Sequence, residues 1–166
     1  MKNIRNLYAA GVIIPWIFIG IAYFYFQLYL DLIPCPLCMF QRVVMVGISV
    51  VCFIAFFYSS SVLSHKVYSA LVSFFAALGV GIAGRQVWLQ HLPADQVPQC
   101  GFDPVYRWLE SDAGDYNFMQ MVATTLRGSG DCALIDWSFL GLSIAGWMVI
   151  IFSAILLFAV NHLLRS

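Results

Sequence analysis

Four long apolar runs separated by polar loops organise this chain. The first extends from Leu7 to Leu30 without a charge and stops at Asp31. The second covers Leu37 to Tyr58, with Arg42 near its beginning, and the third covers Val67 to about Leu89, with Arg85 near its end. The last extends from about Leu140 to Val160. Each is long enough to cross a hydrocarbon core, which takes about 20 helical residues. Backbone groups in lipid must bond within their own segment, so all four are predicted to be α-helices. The expected fold is all-α, a transmembrane four-helix bundle forming one integral membrane domain over residues 1–166. Its spans are expected at about 7–30, 37–58, 67–89 and 140–160, with outer loops at about 31–41 and 93–136. Lys2 and Arg5 precede the first run as they would in a signal peptide. That run is too long for one, however, and no small-residue cleavage site follows before Asp31, so it reads as an anchor. In the third run Ala77 and Gly81, and Val80 and Gly84, lie one turn apart, a spacing that permits close helix contact.

The 44-residue stretch 93–136 is too long for a simple connector. Within it Asp115 to Gly128 reads as a short helix, with Asp115 as N-cap, Arg127 in the last turn and Gly128 as C-cap. Phe118, Met121, Val122 and Leu126 make one apolar face, suited to lying on a leaflet or packing against the bundle.

Composition agrees with the pattern: 62% of the 166 residues are hydrophobic and 10% are charged. Soluble domains lie nearer half apolar and a quarter charged. The net charge of zero hides an asymmetry. Both termini share a side with the Ser59–Lys66 loop, and that side carries Lys2, Arg5, Lys66 and Arg165 and no acid. All eight acids, Asp31, Asp95, Asp103, Glu110, Asp112, Asp115, Asp131 and Asp136, lie opposite. Positive charge marks the cytoplasmic side, so both termini are expected there and the two cysteine-bearing loops outside. His65 and His162 fall on the cytoplasmic side, where solvation is expected.

Four of the five cysteines belong to the outer side. Cys35 and Cys38 sit in Pro34-Cys35-Pro36-Leu37-Cys38, where the second helix begins. Pro36 suits a first turn that has no use for its amide hydrogen. Cys38 then faces the positive end of the helix dipole, a position that favours thiolate. Arg42 is one turn deeper on the same face, and an intramembrane arginine usually marks a site. Cys100 and Cys132 lie 32 positions apart in the long loop, and in an oxidising compartment they are expected to pair. Cys52, mid-span among Val51, Phe53 and Ile54, reads as core. Zinc fits poorly, because Cys100 and Cys132 lack knuckle spacing and no histidine pairs with them. A membrane adhesion or junction protein stapled by two disulfides also fits poorly, because closing a Cys-x-x-Cys ring removes little chain entropy. Thiol–disulfide exchange is the reading that uses all four.

Through Pro34-Cys35-Pro36-Leu37-Cys38-Met39-Phe40-Gln41-Arg42, and through Ser129-Gly130-Asp131-Cys132 followed by Trp137-Ser138-Phe139-Leu140-Gly141-Leu142, the chain resembles the disulfide bond formation protein B (DsbB) family. Arg107-Trp108-Leu109 loosely matches the tryptophan-leucine stretch before that family's horizontal helix. The resemblance covers almost the whole chain. It departs at Gln41, where an acid is common in the family, and at Pro36, a variable position. Vitamin-K-epoxide-reductase-like proteins also combine a four-helix bundle, outer cysteines and quinone, but there Cys-x-x-Cys follows the loop pair, whereas here it precedes it.

The resemblance implies a multi-pass protein of the bacterial inner membrane that reoxidises a periplasmic DsbA-like thioredoxin-fold oxidase and passes electrons to ubiquinone or menaquinone. It implies attack on Cys100–Cys132 at Cys100, transfer through an interloop Cys35–Cys100 bond, and reduction of quinone by Cys38 beside Arg42. His91, at the outer end of the third run, and Arg85 are further candidates for quinone contact. Against them stand a histidine facing headgroups and a snorkelling arginine. Interfacial tryptophans such as Trp88, Trp108 and Trp137 are expected to anchor the bundle.

Overall fold

The computed structural model describes residues 2–32, 34–58, 62–93, 119, 122–123, 132–133, 135 and 137–165. Helix α1 is Lys2–Ile21 and continues as wider π-helical turns over Ala22–Tyr29; α2 is Pro36–Tyr58, α3 is Val62–Gln90 and α4 is Ile144–Arg165. All four are long and apolar enough to cross a membrane, and together they form the expected four-helix bundle. Of the stretch expected to form the amphipathic helix, Met119, Val122 and Ala123 are described and are helical. The rest of that stretch lies outside the described residues, as does Cys100.

Helix α1 packs on α2, α2 on α3, and α3 on α4, whereas α1 and α4 hardly touch among the described residues. A lateral opening between α1 and α4 results. Lipid is as apolar as a leucine side chain, so close packing and interhelical hydrogen bonds hold such a bundle together. Trp16 donates its indole N–H to Ser49 Oγ at 3.1 Å, and Ser49 Oγ donates to the Val12 carbonyl at 3.3 Å, which ties α1 to α2. Near the termini, Tyr8 Oη meets His65 Nδ1 at 3.1 Å and Ser69 Oγ meets His162 Nδ1 at 3.1 Å. The two histidines expected to be solvated therefore tie helices together. Their partners on neighbouring helices are polar, and an imidazole at the rim of a bundle satisfies them better than water can. Cys52 is buried in the core, as expected.

Close contact on α3 occurs at a different glycine from those the spacing suggested. A Cβ at Gly81 or Gly84 would meet nothing within 4 Å, whereas one at Gly79 would overlap the ring of Phe152, which is fully buried. We therefore expect Gly79→Ala to lower the thermal midpoint of the purified protein, costing about 1–3 kcal/mol through overpacking. Gly81→Ala, on open surface, should leave the midpoint unchanged.

Two helix starts differ from the apolar pattern: α3 begins at Val62 rather than Val67, and α4 begins late. The fourth span starts at Ile144 rather than at about Leu140, because Ser138–Phe139 (β1) and Leu142–Ser143 (β2) pair as a short antiparallel hairpin. Its tip is Leu140 and Gly141, with φ of 53° and 80°. Positive φ at both central residues is the turn that matches strand twist, and the strain falls on Leu140. Ser143 then caps α4, its Oγ accepting the Gly146 N–H at 3.2 Å. At the end of α1, Asp31 adopts φ 52° and the Leu32 N–H reaches back to the Phe26 carbonyl at 3.0 Å. This is the left-handed C-cap that more often uses glycine.

Candidate functional site

Cys35 is the N-cap of α2. Its carbonyl accepts the first helical bond, from the Met39 N–H at 3.1 Å, and its sulfur accepts the Cys38 N–H at 3.3 Å. Pro36 follows at the first helical position, where its missing N–H costs nothing. The cap geometry brings the two thiols together, with Cys35 Sγ donating to Cys38 Sγ at 2.8 Å. Cys35 is 9% exposed, whereas Cys38 is half-buried and forms part of a cavity wall.

Cys132 is fully buried against Cys35, Leu37 and Leu89. Hydrogen bonding with the Cys132 sulfur, then with Cys38, and then burial push the Cys35 thiol well above its ordinary value. One cysteine of the long loop is thus in contact with the Cys-x-x-Cys pair. That cysteine is Cys132; Cys100, from which the interloop bond was expected, lies outside the described residues.

On the other side of Cys38 is a cavity of about 570 Å³ that reaches the opening between α1 and α4. Phe18, Ile19, Met148 and Ile151 give it an apolar floor, and Cys35, Cys38, Arg42, Gln27 and Gln90 give it a polar end. Arg42 Nη1 donates to Gln27 Oε1 at 3.0 Å, so the π-helical end of α1 steadies the guanidinium at the wall. π-Helical turns are rare and occur often at functional sites. Trp137, Phe139 and Trp147 close one side. Phe26 meets Trp137 edge-on at 5.0 Å, and Trp137 stacks on Phe139 at 6.0 Å. Trp137, expected to anchor the bundle, also lines the cavity. The hairpin that delays the start of α4 turns its ring inward.

Of two further polar groups, Gln86 was not singled out in the sequence and Gln41 was noted only as a departure from the family. Gln86 and Gln41 are 4% and 3% exposed. Gln41 Nε2 donates to Gln86 Oε1 at 2.7 Å, and Gln86 Nε2 donates to the Cys35 and Cys38 sulfurs, each at 3.3 Å. In the sequence each is a glutamine next to an intramembrane arginine. The structure does not bring Arg85 or His91 to the cavity. Arg85 lies over the Trp88 ring at 4.3 Å, and exposed His91 shares a 2.8 Å hydrogen bond with the Val87 carbonyl one turn back. Both are satisfied by their own helix, as residues facing headgroups would be.

Four helices able to span a membrane, with a buried dithiol at one end, a third cysteine against it and a cavity lined by residues of α1 and α4, fit a membrane thiol–disulfide oxidoreductase. The family model for disulfide bond formation protein DsbB matches residues 4–161. A disulfide bond formation protein B from Marinobacter nauticus is 41% identical over 142 residues, covering 86% of this chain and 82% of its own. Those from Psychrobacter cryohalolentis and Acinetobacter baumannii are 41% identical over 171 residues (99% and 89% covered) and 43% identical over 145 residues (84% and 82% covered). The chain belongs to the DsbB family: it is a multi-pass membrane protein and a disulfide-forming oxidoreductase.

Proposed function

We propose that this protein reoxidises a DsbA-like thioredoxin-fold oxidase outside the bacterial inner membrane, with both its termini in the cytoplasm, and delivers the electrons to a membrane quinone. The observation that carries this reading is the position of Cys35 and Cys38 between Cys132 on one side and the cavity on the other. The relay balances as follows. A thiolate of the reduced partner attacks Cys100 of a Cys100–Cys132 disulfide, forming a mixed disulfide and expelling Cys132 as thiolate. The partner's second thiol attacks the mixed disulfide, so the partner leaves oxidised and Cys100 is left as a thiol. Cys132 attacks Cys35 of the Cys35–Cys38 disulfide and releases Cys38. Cys100 then closes again on Cys132, leaving two electrons on Cys35 and Cys38. The handover runs through Cys132 rather than Cys100, because attack at Cys100 frees Cys132, the cysteine that lies against Cys35.

The cavity suits a flat ring with polar edges and an apolar tail: an aromatic wall, an apolar floor, Arg42 and Gln90 at the polar end, and an opening to lipid. A quinone held there would supply the sink for the two electrons and two protons given up as Cys35 and Cys38 close their disulfide. Arg42 fixes positive charge where negative charge would gather, and the aromatic wall excludes water. The soluble partner dictates so strong a sink. DsbA has an established potential of about −120 mV, and for two electrons each 30 mV is worth about 1.4 kcal/mol.

The test is quinone-dependent oxidation of a reduced thioredoxin-fold oxidase by the purified chain in lipid nanodiscs. One quinone should be consumed per two thiols, and thiol loss without quinone loss would refute the reading. In the same assay Arg42→Gln should raise the quinone concentration for half-maximal rate by about tenfold or more, the worth of one lost charge-assisted contact. The disulfide pattern at rest should stay normal. An unchanged half-maximal concentration would remove Arg42 from the site.

A further inference from the structure

Gln86 comes from the last turns of an apolar helix and is buried against the Cys35 and Cys38 sulfurs. A carboxamide has a donor end and an acceptor end, so what matters is which end faces the sulfurs. Gln41 decides this. Its Nε2 donates to Gln86 Oε1 at 2.7 Å, which fixes the acceptor end and turns the Gln86 N–H groups onto Cys35 and Cys38, 3.3 Å from each sulfur; the same oxygen also lies 3.7 Å from Cys38 Sγ, a longer contact that only the thiol form can donate. An ionised acid at position 41 could only accept, and would draw those N–H groups away.

We propose that Gln41 and Gln86 form an oriented amide pair that holds an N–H donor on the Cys35–Cys38 sulfurs and makes this disulfide a stronger oxidant. Gln86 touches the reacting atoms; Gln41 is a positioning residue that acts through it. The physical reason is the difference between the two redox states. An N–H donated to a thiolate is a charge-assisted bond, whereas a disulfide sulfur is a weak acceptor. The pair therefore favours the reduced form and pulls electrons inward from Cys132. The inference rests on Cys35–Cys38 being a redox-active pair of the relay.

The test uses the full chain in quinone-free nanodiscs, equilibrated in glutathione buffers. Cys35–Cys38 disulfide and two glutathione thiols exchange with the dithiol and one glutathione disulfide, and alkylated peptides report the ratio. Gln86→Met keeps the length and removes the donor. It should lower the equilibrium constant for reducing Cys35–Cys38 about tenfold, equivalent to about 30 mV. Gln41→Met leaves the Gln86 amide free to turn and should lower it about threefold, part of the worth of one such bond. The double variant should match Gln86→Met alone, because one residue works through the other. Cys100–Cys132, measured in the same samples, should not move. Equal constants in wild type and variants, additive losses, or a parallel shift in both cysteine pairs would overturn the amide pair while leaving the relay intact. If Gln86→Met does not fold, Gln41→Met alone decides by the same criteria. A wild-type Cys35–Cys38 pair that never exchanges with glutathione would overturn the relay itself, and the inference with it.

Discussion

Replacing Cys132 with alanine is expected to leave the protein covalently held to its soluble partner through Cys100. In the relay, Cys132 is both the group that Cys100 expels and the thiolate that carries electrons onward. Without it, the Cys100 thiol attacks the disulfide of an oxidised thioredoxin-fold partner, and only the partner's own second thiol, released in that step, can reverse it. A mixed disulfide should appear on non-reducing gels after acid quench and alkylation, absent from the Cys100→Ala, Cys132→Ala double variant. Turnover should fall to background even though Cys35, Cys38 and the cavity are intact. Fully buried Cys132 sits on Leu37 and Leu89, so its loss also leaves a small void. Retained quinone-linked oxidation of small dithiols that reach Cys35–Cys38 directly would separate that packing effect from the chemical one. A Cys132→Ala protein that still oxidised its soluble partner at the wild-type rate would refute the route.

The second large effect is expected from Cys38→Ala. Cys38 is the only described cysteine of the relay that is half-buried on the cavity wall; Cys35, the N-cap, faces Cys132. Removing Cys38 leaves the loop disulfide able to react with the partner once and leaves no dithiol to recharge it. Multiple turnover should drop by on the order of a thousandfold or more, as when one member of a catalytic unit is deleted. A single burst of partner oxidation, one equivalent per protein, should survive and be visible in rapid-quench measurements. Loss of the burst together with turnover would instead point to a disrupted fold.

These effects depend on features that were legible in the sequence to different degrees. The four spans and the cysteine pair at a helix start were readable, because hydrocarbon thickness fixes the length of an apolar run and Pro36 marks a first helical turn. The start of the fourth span was not, since Leu140 and Leu142 read as membrane residues. Only backbone twist reveals that Leu140 and Gly141 form a hairpin tip. Trp137 entered the cavity for the same reason. Gln86 was invisible because its role depends on how α3 is rotated against α2, which one glutamine in an apolar run does not encode. Arg85, next to it, carried the stronger sequence signal yet points to Trp88. Arg42 was legible because it lies one turn from Cys38 within the same helix, so no tertiary knowledge was needed. The contact between Cys132 and Cys35 is tertiary, and sequence separation alone could not reveal it.

That choice is also where the electron route is most exposed to experiment. In the Cys38→Ala protein, Cys35 retains a thiol with no resolving neighbour in its own helix, so part of the protein should exchange the loop disulfide for a bond from Cys35 to the loop cysteine that reaches it, the single oxidising equivalent being conserved. Proteolysis under non-reducing conditions followed by mass spectrometry of the linked peptides identifies that cysteine. A Cys35–Cys132 link, with Cys100 recovered as a thiol, is the expected result. A Cys35–Cys100 link with Cys132 recovered as a thiol would contradict the route from soluble partner to membrane cavity.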